Sequence, residues 1–298
     1  MSRFAIQAIQ INGSEFAGCT GTTVDRGLNV TTENSDGVVQ ETVQFVEQEA
    51  ASAEITSWAI KSLLAELGTS GVNYFPMIAL DGANGVLMAG AKAALNAPAF
   101  ASGSVHLARQ GLNGVAYMSN LRWSLKQKAE MTVKALFVGT GAGITAAVAA
   151  STIALPTQVA PTEGWTLSAL TINGTAITSV NSIDLSISPK FEYEYSAGLP
   201  VPITLSGAGA RGPVEIRLTA DIGDATLANG AGSVSLVFTQ YASGGGLAAH
   251  TVTITLVGNF AFENTVGGQG ASPMSKRLTV IPTSSNNTTV FAMTWAET

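Results

Sequence analysis

The strongest constraint on the fold is a short alternating stretch that the chain contains twice. "AIQINGSEF" begins at Ala8, and "ALTINGTAI" begins at Ala169, about 160 residues further along. In both copies, apolar residues alternate with polar ones until an Asn-Gly pair interrupts them, which is the pattern of a half-buried strand followed by a turn. The sequence therefore predicts a β-rich unit whose opening is made twice.

The same two-residue alternation recurs in three other segments, with polar residues between the apolar ones. The apolar positions are Ile183, Leu185, Ile187, Phe191, Tyr193 and Tyr195 in "SIDLSISPKFEYEYS", Val252, Ile254 and Leu256 in "HTVTITLVG", and Val39, Val43 and Phe45 in "VQETVQFVEQE". Clusters of Gly, Pro, Asn and Ser separate the segments, as turns require. The expected class is mainly β, with sandwich or barrel-forming domains that each carry a minor helix.

One segment has helical periodicity instead. "ASAEITSWAIKSLLAELG" places apolar residues at three- and four-residue steps between Trp58 and Leu67, and Gly68 follows where a helix C-terminus favours glycine. A second, poorer helix is expected in "GANGVLMAGAKAALNAP", where Pro98 would end it.

The order of the elements after the opening stretch is also repeated. "AEIT" in the first half corresponds to "VEIR" in the second, and "EMTVKALFV" corresponds to "KRLTVIPT". Three residues of the first half correspond at one constant offset to residues of the same type in the second: His106, Gly114 and Asn120 to His250, Gly258 and Asn264. The ordered series predicts a tandem duplication.

The duplication sets the expected domain boundaries: an N-terminal β domain over residues 1–148, a linker over 149–163 and a C-terminal β domain over 164–298. The segment around the linker is uncharged, but it is rich in Gly, Ala and Thr and contains Pro156, which disfavours a membrane-spanning helix. We expect an extended segment that lies on a surface. The N-terminus shows no pattern of a secretory signal.

Composition indicates a surface that other subunits cover. Hydrophobic residues make up 46% of the 298 residues and charged residues only 11%, which leaves few groups for solvation. The net charge of −6 argues against a nucleic-acid-binding protein, which needs basic stripes to neutralise phosphates.

No residue pattern indicates catalysis, a metal or a cofactor. Cys19 is the only cysteine, so a disulfide framework or a cysteine-based metal site is not available. The two histidines occupy matched positions of the repeat, which favours a structural role. Gly139, Gly141 and Gly143 miss the spacing of a dinucleotide-binding loop. We expect a protein that is not an enzyme.

Pairs of acids lie two residues apart, and each pair therefore shares one face of a strand. They are Glu47 with Glu49, and Glu192 with Glu194. Glycosidases use paired carboxylates. A solvated or lumen-facing strand explains the pairs more simply, and we favour that interpretation.

These features together resemble a known family. A β-rich domain that opens with an "x-I-x-I-N-G" strand, continues with a long hairpin and a strand–helix step and closes with further strands is similar to the tube domain of long-tailed bacteriophages. The duplicated form resembles siphophage major tail tube proteins with two tube domains per chain. In those relatives three chains form a ring with six domains, and the rings stack into a hollow tail.

The resemblance implies a structural virion protein that assembles in the host cytoplasm around a tape-measure protein and conducts DNA during ejection. Its partners would be further copies of itself, the tail terminator and distal-tail or baseplate proteins, and it would use no cofactor, no membrane and no specific nucleic-acid binding. The net negative charge of the chain suits a channel for DNA, since negative charges repel the DNA phosphates.

Two sets of residues follow as candidates for this function. The candidate lumen acids are Glu41, Glu47, Glu49, Glu192 and Glu194. The candidate inter-subunit hairpins have their tips at Gly37 and Gly198 and would reach an adjacent ring or subunit. Alternation gives each strand two different faces but does not show which face lines the lumen.

Three alternatives stay open. The first is a distal-tail or baseplate ring protein with the same domain. The second is a carbohydrate-binding β-sandwich module, which would need aromatic platforms on exposed loops. A hydrolase is the third, although no nucleophile–base pattern accompanies it.

Overall fold

A computed structural model describes residues 2–16, 19–33, 43–68, 75–94, 106–139, 149–150, 163–178, 180–206, 214–220, 230–242, 246–265, 275–280 and 292–298. It is mainly β, as the sequence predicted, with antiparallel sheets and one helix among these residues, α1 (Ile60–Leu67).

The strands of the first half are β1 (Ser2–Ile11), β2 (Ser14–Phe16), β3 (Cys19–Asp25), β4 (Leu28–Glu33), β5 (Val43–Glu49), β6 (Ser52–Ser57), β7 (Met77–Ala79), β8 (Val86–Ala94), β9 (His106–Gly111), β10 (Asn113–Ser124) and β11 (Glu130–Val138). Those that follow are β12 (Ala149–Ala150), β13 (Trp165–Ile172), β14 (Thr175–Ala176), β15 (Val180–Ile187), β16 (Glu192–Tyr195), β17 (Pro202–Ser206), β18 (Val214–Ala220), β19 (Gly230–Tyr241), β20 (Leu247–Thr265), β21 (Ser275–Val280) and β22 (Ala292–Glu297).

The strands form two sheets and two separate hairpins. The smaller sheet has the order β12-β9-β8-β1-β2. The larger sheet has 13 strands and runs β14-β13-β19-β20-β21-β18-β15-β10-β11-β6-β3, with β22 beside β20 and β7 beside β10. The hairpins are β4–β5 and β16–β17. The larger sheet therefore contains strands from both halves of the chain.

Both halves use the same strand order. In the second half the order is β14-β13-β19-β20-β21-β18-β15. In the first half it is β2-β1-β8-β9 in one sheet and β10-β11-β6-β3 in the other, and only Leu112 separates β9 from β10. Strand β20 thus takes the place of β9 and β10 together: it pairs with β19 along most of its length and with β21 near its end.

The two Asn-Gly pairs form tight turns at equivalent places. Asn12 and Gly13 have φ of 47° and 88°, and Asn173 and Gly174 have φ of 51° and 76°. Positive φ at both central residues is what a two-residue hairpin turn needs to match the twist of its strands. The turns join β1 to β2 and β13 to β14.

The predicted apolar faces of β15 and β20 lie in one core cluster to which both halves contribute. Val39 lies outside the described residues, and so do the side chains of Val43 and Phe45. Ile183, Leu185 and Ile187 are buried, as are the predicted apolar positions of β20. Helix α1 also buries its predicted apolar face, and the Gly68 N–H donates to the oxygen of Leu64 at 3.0 Å to end the helix. The helix starts at Ile60, because the residues up to Ser57 pair as strand β6.

The second predicted helix is wrong. Its sequence contains strand β8, which pairs with β1 on one side and with β9 on the other. Alanine favours a helix, but both edges of this segment find strand partners, and that tertiary pairing overrides a weak local preference.

Part of the predicted linker is also ordered as strand. Ala149 and Ala150 form β12, which pairs with Arg109 and Gln110 of β9. Residues 151–162 lie outside the described part of the chain.

Candidate assembly surface

The two halves meet edge to edge where β10 pairs with β15. The antiparallel register runs from Asn120 opposite Ser186 to Ser124 opposite Ser182. The Leu125 N–H continues the contact with a 2.8 Å hydrogen bond to the oxygen of Asn181. We call this pairing the β10–β15 junction.

Side chains reinforce the junction on both faces of the sheet. On one face, Asn120 Nδ2 donates to Asp184 Oδ1 at 2.6 Å, and the Arg122 guanidinium lies 3.2 Å from the other oxygen of the same carboxylate. On the opposite face, Leu121 and Leu185 are directly opposite each other and fully buried. The junction therefore combines backbone pairing, a polar cluster and part of the core.

The hairpin β16–β17 extends this contact onto the first half. The hydroxyl of Tyr193 donates to the oxygen of Ala51 at 2.7 Å, and that of Tyr195 donates to the oxygen of Glu49 at 2.9 Å. Backbone hydrogen bonds add to it, from the Glu49 N–H to the oxygen of Pro200 and from the Gly139 N–H to the oxygen of Pro202, both 2.8 Å long.

Aromatic packing completes this contact. The Phe191 ring lies 5.4 Å, centroid to centroid, from the ring of Tyr117, which is itself buried. Burial, with the nearby Glu54 carboxylate as a smaller cause, raises the pKa of Tyr117 to about 12. Burial likewise raises the pKa of Tyr193. Both phenols are held in their neutral form.

The first half presents a comparable surface that the described part of the chain leaves exposed. Leu28 and Val30, in strand β4, are 42% and 48% exposed. Strand β3 pairs with β6 on one side, and no strand of the described part of the chain pairs with its other side. We call the outer edge of β3 together with Leu28 and Val30 the β3–β4 surface.

The candidate lumen acids do not share one environment. Glu192 and Glu194 are exposed, on the face of β16 opposite Tyr193. The carboxylate of Glu49 is 2% exposed and forms a 2.8 Å ion pair with Arg26, so its charge is compensated within the chain. Glu47 belongs to β5, but its side chain lies outside the described part, as does Glu41 entirely. Among the described side chains of this set, Glu192 and Glu194 are the ones that present exposed carboxylates to support the lumen prediction.

The two candidate hairpin tips also differ. Gly198 is exposed in the turn between β16 and β17, with φ of 79°, and a methyl group added there would meet no atom within 4 Å. The arms of its hairpin contact the first half of the same chain. Gly37 lies outside the described residues.

A further contact between the halves was not predicted from the sequence. Lys61 of α1 forms a 2.6 Å ion pair with Glu297, and the Trp295 indole N–H donates to the oxygen of Gly68 at 3.4 Å. Ser62 donates to the carboxylate of Glu163. The two ends of the second half therefore contact the helix of the first. The tryptophans near those ends are the sequence feature from which this contact could have been predicted.

The side chains that could serve as a nucleophile, an acid–base group or a metal ligand are scattered over the described part of the chain. Burial raises the pKa of the Cys19 thiol, which opposes thiolate formation. The His250 side chain is exposed, and that of His106 lies outside the described part. Within the described ranges, no three His, Cys, Asp or Glu side chains gather as metal ligands would. In the same ranges, no helix has the length and apolar character to cross a membrane.

Comparison of the chain with protein-family models and with curated protein sequences gives no match.

Proposed function

We propose that this chain is a structural virion protein whose copies form trimeric, pseudo-hexameric rings that stack into the tail tube of a long-tailed bacteriophage. The proposal includes a tandem duplication, in which residues 1–148 and 164–298 are two copies of one tube domain. In this function the chain assembles around a tape-measure protein and later conducts DNA.

The observation that carries the proposal is the β10–β15 junction between two halves of like strand order. A contact between unlike edges of two similar units is heterologous, and repetition of such a contact generates either a closed ring or an open filament. Self-assembly would also account for the 11% charged content, because surfaces buried between copies need few charges.

The exposed acids on β16 suit the conduit role. Glu192 and Glu194 form no ion pair among the described residues, so they would present uncompensated negative charge. A negatively charged channel wall repels DNA phosphates and keeps the genome from adhering.

The alternatives receive less support. A carbohydrate-binding module needs exposed aromatic platforms, and each of the four tryptophans is buried or half-buried: Trp58, Trp123, Trp165 and Trp295. All four use the indole N–H internally, as in the 3.1 Å bond from Trp123 to Thr166. A distal-tail or baseplate ring protein of the same fold shares the assembly argument and differs in whether its rings stack.

Sedimentation velocity over a range of protein concentrations tests the function. A tail tube protein is expected to sediment as rings and then as longer stacks as the concentration rises. Rings that never stack would favour the distal-tail alternative, and a monomer at every concentration would contradict both.

A further inference from the structure

We propose that the β3–β4 surface binds the end of strand β20 in a second copy of this chain, and that this contact reproduces between chains the β10–β15 junction. The inference rests on the proposed function for the existence of a self-assembled ring, and it adds the residues and the register of the contact.

The register of β3 follows from strand pairing. Val24 is opposite Ala53 of β6, and Ile187 is opposite Val214 of β18. Ala53 and Val214 begin the matching stretches "AEIT" and "VEIR", so Val24 is the counterpart of Ile187. One residue earlier, Thr23 is the counterpart of Ser186.

The register of β20 follows in the same way. Ala135 is opposite Ala53, and Val280 is opposite Val214, so Ala135 is the counterpart of Val280. Because Ala116 of β10 is opposite Ala135 and Phe260 of β20 is opposite Val280, Ala116 is the counterpart of Phe260. The same separation along the sequence relates Asn120 to Asn264. Because Asn120 is opposite Ser186 in the junction, the register places Asn264 of one copy opposite Thr23 of the next.

The next pair in this register joins Thr265 to Thr22. Threonine is a good strand residue, and Thr–Thr pairs on neighbouring strands are favourable. Near its end β20 pairs with β21 on one side, while β19 reaches only as far as Phe260 on the other. Beyond Phe260, the edge of β20 that faces β19 has no partner among the described strands.

The exposed residues of β4 supply independent support. Counted from Val24 and Ile187, Leu28 is the counterpart of Phe191, and Val30 is the counterpart of Tyr193. Phe191 and Tyr193 are the residues that pack the second half onto the first. Leu28 and Val30 are apolar at the same positions but exposed. A second copy would cover them as the first half covers their counterparts.

The occupant is therefore a second copy of this chain and no other protein, because the junction already shows both sides of the contact within one molecule. An unpaired strand edge next to exposed apolar side chains is a liability unless another chain covers it.

Disulfide cross-linking tests the register. In a Cys19→Ser background, one variant carries Thr23→Cys with Asn264→Cys, and a second carries Thr22→Cys with Thr265→Cys. Along two antiparallel strands, directly opposite residues alternate between a wide and a close Cα–Cα distance. One of the two variants therefore has the close distance that favours a disulfide. Since β3 and β20 lie seven positions apart in the sheet, a bond between them must join two copies.

The matched control carries Thr22→Cys with Asn264→Cys, which places the two thiols on opposite faces of the paired strands. Under mild oxidation, covalent dimers and larger species are expected from at least one in-register variant and not from the control. Rings in micrographs without a cross-link, or a control that cross-links equally, would overturn the proposed contact and leave the tube function standing. The absence of both rings and cross-links would contradict the function as well.

A second measurement concerns the apolar residues. Leu28→Ser with Val30→Ser should raise the concentration needed for assembly at least tenfold, while circular dichroism of the monomer stays unchanged. Leu247→Ser is the matched control, because Leu247 is also exposed but lies outside the β3–β4 surface. Equal assembly of the double variant and the control would overturn the role of Leu28 and Val30.

Discussion

The hydroxyl of Tyr193 donates a 2.7 Å hydrogen bond to the backbone oxygen of Ala51, which lies 142 residues earlier in the chain. This bond fixes the hairpin of the second half on the body of the first. Because it needs the protonated phenol, it also makes the contact sensitive to alkaline pH.

Stability should therefore fall as the pH rises above about 10. The pKa of Tyr117 is about 12 in the folded chain, and that of Tyr193 is also raised, whereas a free tyrosine has a pKa near 10. A raised pKa stabilises the fold fully below pH 10, and this contribution is lost between pH 10 and about 12.

Urea unfolding at several pH values measures this loss. A variant with Tyr117→Phe and Tyr193→Phe cannot ionise at these positions, so its free energy of unfolding should decline less between pH 10 and 12. An equally steep decline in the variant would contradict the assignment to these two phenols.

The β10–β15 junction should be part of the folding core. Leu185→Ala removes a fully buried side chain at the junction, and such cavities cost about 2–5 kcal/mol. Leu125→Ala makes the same change at a side chain that is 56% exposed, and we expect about 0.5 kcal/mol or less. Denaturant unfolding compares the two, and similar losses would show that the halves are not joined through this core.

Much of this fold could be predicted because two-residue alternation marks a half-buried strand wherever it continues for several residues. Strands β15 and β20 are confirmed for that reason, and the apolar face of α1 is confirmed because its apolar residues recur at three- and four-residue steps. Strand β8 was missed because its Ala-rich sequence has no clear alternation, and its conformation depends on β1 and β9, which are distant in sequence.

The candidate site was less predictable. Paired acids two residues apart indicate a shared face but not its surroundings, so the burial of Glu49 beside Arg26 required the fold. The junction itself joins residues that are far apart in the sequence, such as Asn120 and Asp184, and no local pattern signals such a pairing. The tryptophans at the ends of the second half gave only an indirect signal of its contact with α1.

Two glycines should differ sharply in their tolerance of a side chain. At Gly114, with φ of 134°, an added Cβ would lie 1.9 Å from the oxygen of Leu136, so Gly114→Ala should prevent folding or destabilise it by more than about 3 kcal/mol. Gly198 has positive φ but open space around it, so Gly198→Ala should cost only about 1 kcal/mol. Soluble yield and thermal unfolding test the contrast, and equal effects would contradict the described turn and strand geometry.

Charge reversal on β16 should make assembled rings retain DNA. Glu192→Lys with Glu194→Lys replaces repulsion by attraction towards phosphates, so salt-sensitive DNA binding should appear. The matched control is Glu66→Lys, which reverses a carboxylate on α1 that accepts a hydrogen bond from Ser14. Filter binding at two salt concentrations gives the readout, and equal retention by both variants would contradict a lumen position for Glu192 and Glu194.

Negative-stain microscopy of the purified protein distinguishes a ring-forming tube protein from a monomer. We expect six-lobed rings with threefold symmetry, since two unlike halves alternate around each ring, and tubes at higher concentration. A monodisperse monomer that persists at high concentration would contradict it.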